Sequence, residues 1–384
     1  MAKHIVFCAD GTWNNPYEDE TAEHPANPTN VYKLFLCLAG SLSLNSLLNS
    51  DEQEKELIED GQTSLIAKYI HGVGDSRNLL NKLLGGAFGA GVISRIVRGY
   101  TFLSRHYAPG DGLVIVGFSR GAYTARALAG LIASQGLLSP QIVQDQERAY
   151  RCGAQAWYRY RRATIVNPFS LAHLAEVTSN LPAFVSSGSL KNGDFTAVDR
   201  LAAVAVWDTV GAMGFPDYAG KGNRVDAFKF VDTQLSQKVG MGFHAVALDE
   251  RRNDFKPTLW DPAPNVTQRL FPGAHGDVGG GYPEAHNESG LSDGALNWMM
   301  GNLAQIGMPF LPSLPCAITP NPEGTAHKPW EHPPWNLPGI SLGPRSFPAG
   351  LPQDLSIAAR MAAASVIAEP GERPMRYQPT NLPT

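Results

Sequence analysis

Cysteine is nearly absent from this chain of 384 residues. Its four copies, Cys8, Cys37, Cys152 and Cys316, fall at no metal-ligand spacing, which argues against a structural zinc or iron–sulfur site. They read as free thiols of a protein made in a reducing compartment. Long apolar runs are also missing, none reaching the roughly 18 residues that a membrane-spanning helix needs. Met1-Ala2-Lys3-His4-Ile5 passes almost at once into a strand, leaving no room for a signal peptide, so synthesis in the cytoplasm is expected. Excess positive charge is lacking: 31 Lys and Arg stand against 35 Asp and Glu, and no basic field recruits nucleic acid. Gly279-Gly280-Gly281 lacks the Lys-Ser/Thr ending of a phosphate loop. What these absences leave, at 43% hydrophobic and 17% charged residues, is a globular protein with a substantial core.

Within that core one motif carries chemistry. Leu113-Val114-Ile115-Val116 reads as a buried strand, Gly117-Phe118-Ser119-Arg120-Gly121 follows it, and Ala122 to Ala129 is rich in helix formers. Strand, Gly-x-Ser-x-Gly and helix in that order make a nucleophile elbow. Glycine on both sides of the serine lets strand and helix approach around a strained turn that exposes the hydroxyl.

Strands alternate with helices along the rest of the chain, which predicts an α/β fold of the hydrolase kind: a mostly parallel sheet flanked by helices, in one domain spanning 1–384. His4 to Ala9 is the first strand, and Pro28-Thr29-Asn30 opens a helix. Ser50 to Gly61 reads as a charged surface segment and Ile66 to His71 as a strand. A glycine-rich helical stretch runs from Leu79 to Tyr107. Leu201 to Trp207 is a fully buried strand, Gly242 to Leu248 a helix, and Val266 to Phe271 a strand nearer an edge. Residues 164–193 are less regular and apolar, a candidate helical cap over the substrate. The proline-rich stretch 309–352 has no periodicity and is expected to wrap the domain as loop or to lack order.

A serine hydroxyl needs a base and an acid that orients the base. Of ten histidines, only His244, His275 and His286 follow the nucleophile outside the cap and the proline-rich tail. His275 lies on a glycine loop beyond a strand end, the favoured place; His244 reads as packed structure and His286 as the weaker rival. Asp208 ends the buried strand and is the preferred acid over Asp249, Asp254 and Asp277. The oxyanion hole should draw on the N–H of Arg120 and on Gly11 or Thr12, after the first strand. Asp10 and Asp277 are expected to support these groups from behind. No metal or organic cofactor is needed by this chemistry.

Asp10-Gly11-Thr12-Trp13-Asn14, the serine motif, Trp207-Asp208-Thr209-Val210-Gly211 and His275 to Tyr282 together resemble a known family. It is the α/β-hydrolase family of type VI secretion lipase effectors, the first family of those antibacterial phospholipases. Asp249-Glu250-Arg251-Arg252 and Tyr377 to Leu382 extend the likeness along nearly the whole chain. The resemblance implies a Ser119–Asp208–His275 triad and phospholipase A cleavage of glycerophospholipid esters. It also implies export by a type VI system, a secretion carrier, an immunity protein and peripheral membrane contact. Two other readings stand beside it: a carboxylesterase or polyester-type hydrolase, and a binding module on a dead hydrolase frame.

Overall fold

The computed structural model describes residues 2–11, 27–44, 46, 52–72, 88–164, 189–211, 233–333, 335–337 and 340–383. Thr12, most of the expected cap (165–188) and the start of the glycine-rich stretch lie outside these residues.

Eight strands form one sheet in the spatial order β10-β9-β8-β5-β1-β4-β3-β2. Six are parallel: β1 (His4–Ala9), β4 (Gln62–Ile70), β5 (Gly112–Phe118), β8 (Leu201–Trp207), β9 (Val239–Ala247) and β10 (Val266–Phe271). β3 (Glu52–Glu59) and β2 (Ser41–Leu42) close one edge in antiparallel fashion. β6 (Leu137–Leu138) and β7 (Phe195–Thr196) pair separately. The central strands β1, β5 and β8 are apolar on both faces because helices cover both. On one side lie α2 (Phe88–His106), α3 (Arg120–Gln135) and α5 (Gln146–Thr164), joined by the one-turn α4 (Pro140–Val143), packed over Phe7, Ile115 and Val204. On the other, α1 (Asn30–Cys37) and α7 (Gly290–Gln305) cover Val6, Val116 and Ala205. This is a mixed α/β architecture with a large, mostly parallel sheet between helical layers.

Helix α1 begins where the sequence places it, with the Thr29 hydroxyl accepting the Tyr32 N–H at 3.2 Å. Two segments differ from expectation. The charged stretch around Glu52–Glu59 is a strand paired with β4, not a surface segment. Its inward positions hold Gln53 and Lys55, so no apolar alternation announces it; Lys55 Nζ instead donates to the Leu36 and Leu38 carbonyls at the end of α1. Of the run Gly242 to Leu248, all but Leu248 falls in β9 rather than in a helix. A short run buried on both faces carries no period that separates helix from strand.

Register places the chemistry at one end. Ala9 pairs with Gly117, Phe118 with Trp207, and Trp207 with Ala245. The residues just after these strands, Asp10, Ser119 and Asp208, therefore leave the sheet side by side at its carboxyl edge. The chain crosses from β4 back past β1 to β5, so the order reverses beside β1, and crevices in open α/β sheets form at such reversals.

The proline-rich segment 309–352 wraps this body through backbone bonds. Leu311 donates to Cys37, Asn253 to Ser341 and Gly343 to Arg251, and Leu270 on the edge strand β10 donates to Pro352. α8 (Leu355–Ala362) follows it. All four cysteines are free, with the Cys37 and Cys316 sulfurs 3.8 Å apart. No helix among the described residues is long and apolar enough to cross a membrane.

Candidate active site

Ser119 sits between β5 and α3 with φ 59° and ψ −123°, a left-handed conformation rare for a side-chain residue. Two glycines make the turn fit. A Cβ on Gly117 would overlap the Gly121 carbonyl, and one on Gly121 would overlap the carbonyls of Ala9 and Asp10. The Ser119 N–H still reaches the Trp207 carbonyl at 3.1 Å, so the sheet ladder holds the strained residue in place. Arg120 is the first residue of α3, where backbone N–H groups point out of the helix end.

Asp208 also has positive φ, 35°, one residue beyond β8. Its carboxylate is fully buried and accepts from His275 Nδ1 at 2.5 Å. That bond makes Nδ1 the proton-bearing nitrogen and leaves Nε2 as the ring's acceptor. His275 opens the short helix α6 (His275–Gly279), its ring packed against Phe118 at 4.6 Å and edge-on to Phe255 at 5.0 Å. Burial would push the Asp208 carboxyl up; the Arg345 guanidinium and the His275 bond overcome it and hold the group well below the usual carboxylate range. Burial lowers His275, with Asp208 acting against it. The resting pair is carboxylate and neutral imidazole.

Ser119, Arg120 and His275 line one cleft of about 210 Å³, with Phe118, Val210, Phe255 and Trp335 among its apolar walls. Asp208 thus meets the expected histidine, and that histidine shares a cleft with the expected serine.

The rival residues have other work. Asp249 accepts from the Gly273 N–H at 2.7 Å and from the Tyr377 hydroxyl at 2.8 Å, fixing the turn before His275. Asp254 lines the cleft. His244 is fully buried, accepts the Thr209 N–H on Nε2 at 3.1 Å, and bonds Gln268 through Nδ1. Burial pushes it down to about 3, so it is a neutral brace for the Asp208 turn. His286 is exposed on a turn with φ 54°.

One supporting expectation needs correction. Gly11 donates its N–H to Asp10 Oδ1 at 2.6 Å and does not line the cleft, so that N–H is not aimed at an oxyanion. Thr12 lies outside the described residues. Asp10 itself is buried and accepts from the Thr29 and Tyr69 hydroxyls at 2.7 and 2.6 Å; burial still pushes it up to about 6. Asp277 bonds His327 Nδ1, at 2.7 Å, and the Ala274 N–H, rather than the His275 ring.

A model of the catalytic domain of Tle1-like phospholipase effectors of the type VI secretion system matches residues 3–302. The chain belongs to this family. An uncharacterized protein of Saccharomyces cerevisiae is 27% identical over 282 residues, which is 70% of this chain and 34% of the yeast protein. Two solved structures are similar to the Tle1-like chain. A crystal structure of an uncharacterized Pseudomonas aeruginosa protein has 17% identity and a TM-score of 0.45, covering 84% of this chain and 49% of its own. A Tle1 effector bound to the VgrG spike of the type 6 secretion system has 19% identity and a TM-score of 0.38, with coverage of 73% and 51%. The chain therefore spans about a third of the yeast relative and about half of each solved chain.

Two residues around the candidate site that sequence reasoning missed lie beyond residue 302. Arg345 Nη1 and Nη2 hold the two Asp208 oxygens at 2.7 and 2.9 Å. His327, set aside as part of the tail, bonds Asp277. A single arginine or histidine in an aperiodic proline-rich loop gives no positional signal. A third feature, Glu250, accepts the His275 N–H at 3.2 Å while gripping Arg252 through both oxygens, at 2.8 and 2.7 Å. Both belong to the Asp249-Glu250-Arg251-Arg252 motif, the signal that could have found them.

Proposed function

We propose that this chain is a serine esterase of the phospholipase A type, acting on acyl esters of glycerophospholipids through Ser119, His275 and Asp208. The observation that carries the reading is the Asp208–His275 bond at a cleft that also holds a serine on a strained elbow. His275 Nε2 takes the hydroxyl proton as Ser119 attacks the acyl carbonyl, and Asp208 stabilises the imidazolium that forms. The developing oxyanion is held by the Arg120 N–H and by a donor of the loop after Asp10, for which Thr12 is the remaining candidate. His275 returns the proton to the leaving lysolipid oxygen, then activates water to release the fatty acid.

Lipid is favoured over a small soluble ester by the cleft and by exposed leucines on the wrap. About 210 Å³ holds the ester and the first carbons of a chain, less than the usual pocket for a whole ligand. Beyond Trp335 the wrap carries Leu337 and Leu342, 48% and 44% exposed, a surface suited to membrane contact. Type VI export, a spike-type carrier and an immunity protein follow from the family as parts of the same proposal. Ser119→Ala tests it: the variant should keep its fold and release no fatty acid from defined phospholipid vesicles, read by mass spectrometry of the products. Full release by that variant would remove the serine mechanism.

A further inference from the structure

We infer that Arg345 is a positioning residue for this reaction, a fourth member that fixes the Asp208 carboxylate so that Oδ2 faces His275. The inference rests on the serine-esterase reading and adds to it a group outside the span of the family match. Arg345 is buried, with 3% of its side chain exposed, and every contact it makes serves one geometry. Its two terminal nitrogens hold Asp208 Oδ1 and Oδ2, at 2.7 and 2.9 Å. The same nitrogens donate to the carbonyls of Ala247, at 2.7 Å, and Phe255. Oδ1 also accepts the Ala247 N–H at 2.9 Å, and Oδ2 accepts His275 Nδ1. Each oxygen thus has two donors, and the carboxylate cannot turn without breaking several bonds. A guanidinium is suited to this because its planar fork matches both oxygens at once. The wrap is itself pinned at this point, since Asn381 Nδ2 donates to the carbonyls of Leu248 and Arg345.

Charge gives Arg345 a second effect. The charged groups facing His275 are Asp208, Glu250 and Arg252, with Arg345 behind Asp208 and Asp254 on the cleft wall. Among the described residues, Arg345 and Arg252 stand against Asp208 and Glu250 around the resting imidazole. Removing Arg345 leaves Asp208 unbalanced, and the imidazole then holds a proton more tightly.

The experiment compares the wild type, Ser119→Ala, Arg345→Lys and Arg345→Ala on a soluble p-nitrophenyl ester across pH, with fluorophosphonate labelling of Ser119 and thermal unfolding alongside. Arg345→Ala should lose about 100-fold in kcat with little change in KM, by misplacing the acid. Its acidic limb of kcat/KM should move up by about one pH unit. Millimolar guanidinium should restore part of the rate and return the limb, without restoring the wild-type melting temperature. Arg345→Lys keeps the charge but not the fork, so it should show the loss in kcat with the limb nearly unmoved. If Arg345→Ala does not fold, the lysine variant decides on kcat alone. Activity in Ser119→Ala would overturn the serine reading. An inactive Ser119→Ala beside a folded Arg345 variant with wild-type kcat and limb would overturn this inference alone.

Discussion

Asp277 Oδ1 and His327 Nδ1 meet at 2.7 Å, tying the helix that starts at His275 to the wrap fifty residues away in sequence. The His327 ring stacks on Tyr282 at 3.3 Å and 6°, and its Nε2 reaches Glu288 Oε2 at 3.2 Å. Asp277 also accepts the N–H groups of Ala274 and His327, which seats the residue just before the catalytic candidate. Its support of His275 is therefore delivered through backbone and wrap rather than through the ring. An imidazole with a carboxylate on each nitrogen donates from both only when protonated.

That protonation makes one contribution to stability depend on pH. Burial would lower His327, but the Asp277 bond and then Glu288 raise it above its ordinary value. For a raised histidine the stabilisation is fully present below about pH 6.5 and lost as pH rises through the folded value. His327→Gln should cost about 1–2 kcal/mol at pH 6 and clearly less at pH 9. Denaturant unfolding of both proteins at the two pH values reads the difference; equal losses would show that the charge has no part in it.

Ser119, His275 and Asp208 stood out as candidates because each sits at a break that sequence marks. Ser119 is bracketed by glycines after an apolar strand, Asp208 directly follows such a strand, and His275 follows the glycine turn after another. Register then does what sequence cannot display, aligning Phe118, Trp207 and Ala245 so that the following residues converge. Arg345 was hidden because its position depends on where a loop without period happens to cross. The strand at Glu52–Glu59 was hidden for a related reason, since its buried side is polar and satisfied by the end of a helix. Gly11 misled because a flexible residue after a strand is also where a carboxylate can capture its own neighbour's N–H.

Activity should persist on the acid side of the ordinary histidine range. His275 is lowered by burial, with Asp208 opposing but not reversing it. The midpoint of the acidic limb of kcat/KM should therefore lie below the ordinary histidine value of about 6.5. A pH–rate profile on a soluble ester, at substrate well below KM, reports the free enzyme. An acidic limb centred above pH 7 would contradict the environment described for the ring.

The elbow tolerates no added carbon. A methyl at Gly121 would overlap two carbonyls at the end of β1, Ala9 and Asp10, and neither can move without breaking the sheet. Gly121→Ala should cost about 1–3 kcal/mol as strain and push α3 away from β1. Because Ser119 precedes that helix, kcat should fall by more than the loss of stability explains. Unchanged kcat in a variant with a lowered unfolding midpoint would separate the packing of α3 from the placement of the hydroxyl.

The exposed leucines on the wrap should matter for membranes and not for chemistry. Leu337 and Leu342 follow the cleft residue Trp335 along the wrap and are exposed, yet neither lines the cleft itself. Leu342 forms a backbone bridge with Arg252. Inserting each half-exposed leucine into the acyl boundary is worth about 1 kcal/mol. Replacing both with aspartate forfeits that and adds the cost of charge near the headgroups. Leu337→Asp with Leu342→Asp should therefore lose at least about 10-fold in turnover and binding on phospholipid vesicles. The rate on a soluble short-chain ester should stay at the wild-type level, because the walls around Ser119 and His275 are untouched. Equal losses on both substrates would place the two leucines in the folding of the wrap, and no loss on either would leave them without a part in any membrane contact.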